Sequence, residues 1–165
     1  MTTPRPTASE NFIEQMGLIL QADGGPRIAG RIFGLLIVEG RPMSLHEMAD
    51  RLEVSRASAS TNARLLANGG VLRLISRPGD RQDYYELTPN PFQRILEGVG
   101  AKMRRAATQI AEAEALFTPA EADTKARVRQ LAEQHRQSAD FIEKWAARLQ
   151  AGPDRNDTSK SDEPQ

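Results

Sequence analysis

The chain has 165 residues, of which 39% are hydrophobic, and its 22 basic and 22 acidic side chains balance. It has no cysteine and only two well-separated histidines, which excludes disulfides and cysteine-ligated zinc, and we expect neither a metal nor a cofactor. No apolar stretch approaches the roughly 18 residues of a membrane helix and the first nine residues do not resemble a secretion signal, so we expect a cytoplasmic protein without membrane attachment.

Two helices are predicted in the first forty residues. Thr7 and Glu10 form a capping box that begins a helix over residues 8–22, and Gly24 and Gly25 end it. Pro26 is expected at the first position of a second helix, which ends at Gly40. The second helix is apolar around most of its circumference, so it should lie in the middle of the fold.

Two short helices joined by a tight turn follow. Ser44 and Glu47 form a capping box for a helix that carries Leu45, Met48, Ala49 and Leu52. Ser55 caps the next helix, which is predicted to run to Leu66 and to be closed by the glycines at 69 and 70. This pattern predicts a helix-turn-helix.

Beyond Gly70 the pattern alternates instead of following the helical period. Residues 71–76 and 84–87 are β-prone, and residues 77–80 between them are typical of a turn. The sequence therefore predicts a β-hairpin with a basic tip, placed as a wing directly after the helix-turn-helix.

Two long helices are predicted after Asn90, one to Phe117 and one beginning with Thr118, Pro119 and Glu121. Their apolar seams, and that of the first helix, which stands apart from the helix-turn-helix, exceed what a winged helix can cover. We therefore expect a homodimer. His135 interrupts the last seam, and between setting helix register and facing a ligand cavity we favour the register role. The predicted dimerisation residues are Phe12, Met16, Ile19, Val128, Leu131, His135, Ile142, Trp145 and Leu149.

The stretch from Val54 to Arg77 contains four arginines and no acidic residue. Because phosphate attracts arginine and repels carboxylate, this depletion indicates a DNA-binding surface. Serine and threonine are mediocre helix formers, so we favour this interpretation over an exposed helix without a function. The predicted DNA-binding residues are Ser55, Arg56, Ala57, Ser58, Ser60, Thr61, Arg64, Arg77 and Arg81.

Chemistry assigns roles within this set. If Ala59, Ala63 and Leu66 point inward, Ala57, Thr61 and Arg64 point outward at about 100° per residue. Arg64 suits bidentate pairing with guanine and the Ala57 methyl suits thymine. At the wing, Arg77 and Arg81 suit contact with the minor groove or phosphate, and the alternatives are a solvated turn or, for one of the two, an internal salt bridge. We favour Arg81 as the DNA contact.

For the other charged residues considered, we expect structural roles or none. Arg27 and Arg31 suit either DNA-backbone contact or ion pairs with Glu39 or Glu47, and we favour the ion pairs. His46 is expected on the exposed side of its helix, where a lone histidine usually has no function. No phosphate loop or serine-nucleophile motif is present, so we do not expect an enzyme.

The predicted fold class is mainly α with a small β-hairpin wing, a winged helix-turn-helix flanked by N- and C-terminal dimerisation helices. We place a disordered N-terminus at residues 1–7, the N-terminal helix of the dimerisation module at 8–24 and the winged DNA-binding domain at 25–90. The C-terminal helical dimerisation module follows at 91–150, and a disordered tail at 151–165.

This order of elements resembles the MarR family of bacterial transcriptional regulators, and the runs at residues 25–36, 55–66 and 77–85 resemble its GbsR branch. The resemblance implies a homodimer whose helix from Arg56 to Arg64 reads the major groove, while the Arg81 wing enters the minor groove. It also leaves room for a small-molecule effector between the dimerisation helices and the winged domain, which the sequence does not identify.

We therefore expect a sequence-specific repressor that binds double-stranded DNA at a pseudo-palindromic operator. Its half-sites should lie about one helical turn, 10 to 10.5 base pairs, apart. The alternative is a winged-helix module that docks an acidic protein, which the near-neutral pI of 6.8 keeps open.

Overall fold

The computed structural model describes residues 6–76, 78–80 and 82–151. Six α-helices and three strands lie in this part of the chain, and the chain divides between Pro91 and Phe92 into two compact units. In order, the elements are α1 Ala8–Ala22, α2 Arg27–Glu39, β1 Met43–Ser44, α3 Leu45–Leu52, α4 Arg56–Asn68, β2 Leu72–Ser76, β3 Asp83–Leu87, α5 Pro91–Glu114 and α6 Ala122–Ala151, with a short 3-10 turn at Pro119–Glu121 before α6.

The three predicted capping boxes are present, at Thr7 and Glu10, at Ser44 and Glu47, and at Thr118 and Glu121. In each, the glutamate accepts a bond from the cap residue's own backbone N–H. The Thr7 and Ser44 hydroxyls accept a bond from the third helical N–H in return, whereas the Glu121 N–H donates to the Thr118 carbonyl. Pairs three residues apart are local, so the sequence alone locates these helix starts.

Helix α2 lies at the centre of the N-terminal unit, as predicted. Ile32, Leu35 and Leu36 are at most 1% exposed, and Met48 and Leu52 of α3 pack into the same core. Pro26 differs from the prediction because it is the N-cap with an extended ψ of 126°, one position before the first helical residue. Gly40 ends the helix with φ 63°, a left-handed conformation that glycine adopts without strain.

Helix α1 does not stand apart, contrary to the sequence-based expectation. It packs along α2 in the most extensive helix contact of this unit, and Ile13 joins the core. The approach is close because glycines lie at the crossing: a Cβ at Gly30 would lie 2.3 Å from the Met16 carbonyl oxygen, and one at Gly34 would lie 3.1 Å from the Ile13 Cα. The expectation was wrong because it considered only large apolar residues.

The predicted hairpin is present, and a third strand joins it. β2 pairs antiparallel with β3, with Leu74 opposite Tyr85, and β1 pairs with the other edge of β3, with Met43 opposite Tyr85. The sequence did not indicate β1, because two residues are too short to show an alternating pattern. This strand ties the start of α3 to the base of the wing.

In the C-terminal unit, α5 and α6 pack through small residues. Gly100 and Ala107 on α5, and Ala132, Ala139 and Ala146 on α6, are all buried and repeat every seven residues. Helix α5 ends at Glu114, three residues before the expected Phe117. Of the larger side chains of the predicted α6 seam, Trp145 packs edge-on against Phe92 of α5 with the ring centroids 5.9 Å apart and Ile142 lies beside Gly100, whereas Leu131 stays exposed.

Ion pairs reinforce the same two helices. Arg104 on α5 bonds Asp140 at 2.6 Å and Glu143 at 2.5 Å on α6, and Arg129 on α6 bonds Glu114 on α5 at 2.9 Å. These contacts hold α5 and α6 together as a hairpin. No helix among the described residues is both long enough and apolar enough to cross a membrane.

Candidate nucleic-acid interface

The helix-turn-helix consists of α3, a three-residue turn and α4. Glu53 closes α3 in the left-handed conformation with φ 54°, the only described non-glycine residue with positive φ. Ser55 then caps α4, since its hydroxyl accepts a bond from the Ser58 backbone N–H at 3.2 Å. The turn is fixed at both sides, so the direction of α4 relative to α3 is set.

The inward face of α4 contains the residues that the sequence predicted. Ala59 and Ala63 are fully buried, Leu66 packs against the core, and α4 contacts both α2 and α3. Asn62 also lies inward, which the sequence did not predict. It is 8% exposed, and its side-chain amide donates to the Ser58 carbonyl at 2.8 Å, so the amide does not face solvent.

The opposite face of α4 is exposed over its whole length. Ala57, Thr61 and Arg64 are exposed on it, as the helical spacing predicts. Ser55 and Arg56 are exposed at the N-terminal end, whereas Ser58 and Ser60 are half-buried at the edges.

Two further residues share this face and were missed from the sequence. Leu65, 47% exposed, and Asn68, also exposed, lie within about 60° of Thr61 at 100° per residue. The helix was expected to end at Leu66 but runs to Asn68, and extending the helical wheel to that end finds both residues. We call Ala57, Thr61, Arg64, Leu65 and Asn68 the outer face of α4.

The arginines of the N-terminal unit fall into two groups. Seven are described, and residues 1–91 contain no lysine. Five pair with a carboxylate, namely Arg27, Arg31, Arg41, Arg51 and Arg73. Among the described residues, Arg56 and Arg64 have no carboxylate within ion-pair distance, and both belong to α4. The uncompensated positive charge among these seven residues is therefore confined to one helix.

The guanidinium group of Arg64 is also held in direction. Its Nε donates to the Ser60 carbonyl at 3.4 Å, a long bond one helical turn back. The two terminal nitrogens have no protein acceptor in the described structure. They form the fork that binds a pair of acceptors side by side, such as guanine O6 and N7 or two phosphate oxygens.

Arg27 and Arg31 take the structural role that the sequence favoured, but with a different partner. Both pair with Glu14 on α1, whereas Glu39 pairs with Arg41 and Arg51. The expected partners, Glu39 and Glu47, were wrong because the packing of α1 against α2 brings Glu14 to these arginines.

His46 is exposed and lies 3.4 Å from Asp50, one turn along α3. His135 on α6 is half-buried, with Nδ1 2.9 Å from the Leu131 carbonyl oxygen. Neither of its predicted roles is decided by this contact, so the register role stays a prediction. Among the described residues, no cluster of histidine and carboxylate side chains is arranged to hold a metal ion.

The wing has an ordered base. Arg73 and Glu86 form an ion pair across β2 and β3, and the Asp80 carboxylate accepts bonds from the Gln82 backbone N–H at 2.9 Å and the Tyr84 hydroxyl at 2.8 Å. The two predicted DNA contacts of the wing, Arg77 and Arg81, lie outside the described residues. Their roles stay predictions.

The predicted dimerisation residues differ in exposure. Ile19 is 54% exposed, Leu131 46% and Trp145 43%. Phe12 and Leu149 are also exposed, Val128, His135 and Ile142 are half-buried, and Met16 packs over Gly30 and Gly34 within its own chain. Phe141, which the sequence did not include, is the most exposed aromatic residue of α6 at 69%.

Comparison with known proteins is consistent with this architecture. No family model matches the chain. It is 39% identical over 82 residues to the HTH-type transcriptional regulator MmpR5 of Mycobacterium tuberculosis, covering 49% of this chain and 50% of that protein. Two Bacillus subtilis proteins are similar over 89 residues: the putative HTH-type transcriptional regulator YvaV is 26% identical and the HTH-type transcriptional repressor OpcR is 24% identical.

The chain spans about half the length of these curated relatives, covering 50% of YvaV and 48% of OpcR, while each match covers 54% of this chain. A solved crystal structure described as that of a transcriptional regulator superposes with a TM-score of 0.72 at 26% identity, over 88% of this chain and 99% of the other. The predicted winged helix-turn-helix fold is thereby confirmed. All four relatives are described as regulators, in agreement with the prediction that the chain is not an enzyme.

Proposed function

We propose that this protein is a homodimeric, sequence-specific DNA-binding regulator of transcription that acts as a repressor. One observation carries the proposal. In the N-terminal unit the described arginines without a carboxylate partner, Arg56 and Arg64, are both on α4, and that helix contains no acidic residue. A surface of this kind attracts a polyanion and does not repel it locally.

The shape of the helix supports insertion into a groove. The outer face of α4 begins with the small side chains Ala57 and Thr61, so the helix backbone can approach the base edges closely. Arg56 lies at the N-terminal end, where recognition helices usually meet base edges or phosphate, and Arg64 lies two turns further on. We infer that α4 enters the major groove with Arg64 facing the bases.

The exposed apolar side chains of the C-terminal unit support the homodimer. Because α5 and α6 pack on each other through alanine and glycine, large residues such as Leu131, Phe141 and Trp145 stay exposed. An apolar stripe of this kind on long helices is typical of a contact with a second chain. Sedimentation of the full chain should therefore show twice 18.2 kDa, and a concentration-independent monomer would contradict the dimer.

The two α4 helices of a twofold-symmetric dimer should bind a pseudo-palindromic operator, with half-sites about 10 to 10.5 base pairs apart centre to centre. The name of OpcR, a transcriptional repressor, supports repression over activation. The motifs at residues 25–36, 55–66 and 77–85 support the GbsR-like branch of the MarR family. We propose a cytoplasmic location, and a small-molecule effector whose identity is open.

The test begins with selection of bound duplexes from fragmented genomic DNA, followed by anisotropy titration of one selected duplex at fixed salt. Arg64→Ala should weaken binding by about 1–3 kcal/mol and relax the preference at one base pair of each half-site. Arg64→Lys should recover less than the full loss, because it keeps the charge but not the fork.

Arg136→Ala is the matched control. Arg136 is 60% exposed, is ion-paired to Glu133 within α6 and belongs to the other unit, so its removal changes the net charge equally. It should leave operator affinity unchanged. Equal affinity of the Arg64→Ala variant and the wild type would refute the assignment of α4. Failure of the wild type to prefer any duplex would refute DNA recognition and favour the alternative of an acidic protein partner.

A further inference from the structure

Leu65 is an apolar side chain at one edge of the polar and basic outer face of α4. It is 47% exposed, although its neighbours Ala63, Leu66 and Ala67 all contribute to the core of the N-terminal unit. A single exposed leucine is ordinary in a folded protein. Its surroundings distinguish this one, because it directly follows Arg64 and lies one turn beyond Thr61 on the outer face of α4.

The core does not need Leu65. The inward side of α4 is already filled by Ala59, Asn62, Ala63 and Leu66, and Leu65 lies about 100° from its centre. Leucine is a strong helix former, but a solvent-exposed surface position favours a polar or charged side chain over an apolar one. An exposed leucine on a face that carries the unpaired Arg64 and no carboxylate therefore suits a partner that is anionic overall and locally apolar.

The major groove of DNA offers that combination. Its phosphates carry the negative charge, and the C5-methyl of thymine is the apolar group among its base edges. Residues 64 and 65 differ by about 1.5 Å in rise and about 100° in direction, and neighbouring base pairs lie about 3.4 Å apart, so Leu65 is placed for a base pair next to the one that Arg64 reaches.

We infer that Leu65 is a specificity-determining residue that reads the C5-methyl of a thymine next to the base pair contacted by Arg64. This inference rests on the proposed DNA recognition and adds a second base to it. Asn62 does not compete for the role, since its amide is directed inward and bonds the Ser58 carbonyl. Arg64 thus recognises a guanine through hydrogen bonds, and Leu65 recognises a thymine through an apolar contact.

The experiment replaces each thymine of the selected duplex by uracil, one at a time. Uracil lacks only the C5-methyl, so a loss of affinity reports contact with that group. The wild type should lose about fourfold at one thymine in each half-site, which corresponds to burial of one methyl group. The Leu65→Ala variant should bind more weakly and should show no further loss with uracil at that position.

Leu74→Ala is the matched control, because Leu74 is 51% exposed but lies on β2. It should keep the wild-type pattern of uracil sensitivity. Leu65→Met should also keep sensitivity at the same thymine, since methionine preserves an apolar contact of similar size. If Leu65→Ala failed to fold, the uracil scan of the Leu65→Met and wild-type proteins would still test the contact.

The outcomes separate the two proposals. A wild type that prefers its selected duplex over a scrambled one, but is insensitive to uracil at every thymine, overturns the role of Leu65 and leaves DNA recognition standing. Unchanged uracil sensitivity in Leu65→Ala has the same meaning. No preference for the selected duplex overturns both.

Discussion

Adding a single methyl group at Gly30 should destabilise the N-terminal unit. It lies where α2 crosses α1, and a Cβ there would be 2.3 Å from the Met16 carbonyl oxygen and 2.9 Å from the Gly17 Cα. These are backbone atoms, which cannot rotate away. An ordinary contact of about 3.4 Å or more would require the helices to separate by about 1 Å.

The expected magnitude is the balance of two effects. Alanine in place of glycine favours a helix by about 1 kcal/mol. Overpacking of a close contact costs about 1–3 kcal/mol and occasionally more, and here separation would also loosen the contacts at Gly17 and Gly34. We therefore expect Gly30→Ala to lower the free energy of unfolding of the N-terminal unit by about 2 kcal/mol.

Gly98→Ala supplies a control with the opposite sign. Gly98 is also inside a helix, but a Cβ there meets no atom within 4 Å. This variant should raise the unfolding free energy of the C-terminal unit by up to about 1 kcal/mol, from helix propensity alone.

Guanidinium unfolding followed by far-UV circular dichroism measures both effects, and the fluorescence of Trp145, the single tryptophan, reports the C-terminal unit. A stabilising effect of Gly30→Ala similar to that of Gly98→Ala would refute the close crossing of α1 and α2.

Two further predictions concern the helix-turn-helix. Glu53→Gly should raise the unfolding free energy by about 1 kcal/mol, because Glu53 has φ 54° and glycine removes the strain of this conformation; a less stable variant in thermal unfolding would contradict this. The Ser44 backbone N–H, bonded at 2.7 Å, lowers the pKa of Glu47 from its usual 4.5. The stabilisation is thus complete above about pH 4.5 and lost as the pH falls through the lower folded-state pKa. Acid unfolding of Glu47→Gln should consequently be less steep below about pH 5 than that of the wild type, and identical profiles would show that the carboxylate contributes nothing.

Local patterns in the sequence determined most of the helix boundaries and the outward direction of α4. Capping pairs such as Thr7 with Glu10 act over three residues, and the spacing of Ala59 and Ala63 orients a helix without any knowledge of its neighbours. The acid-free run that contains Arg56 and Arg64 is likewise visible in the order of the residues. For these features, the physical cause and the pattern lie in the same short segment.

Only the tertiary structure decided which charges stay uncompensated and which apolar side chains stay exposed. Arg31 pairs with Glu14, 17 positions earlier, because glycines let α1 approach α2. Arg73 is neutralised by an ion pair with Glu86 because β2 pairs with β3. Leu65 stays outside because the other side of α4 already fills the core. Ion pairing and burial depend on which distant segments of the chain come together, and local sequence periodicity contains no information about that.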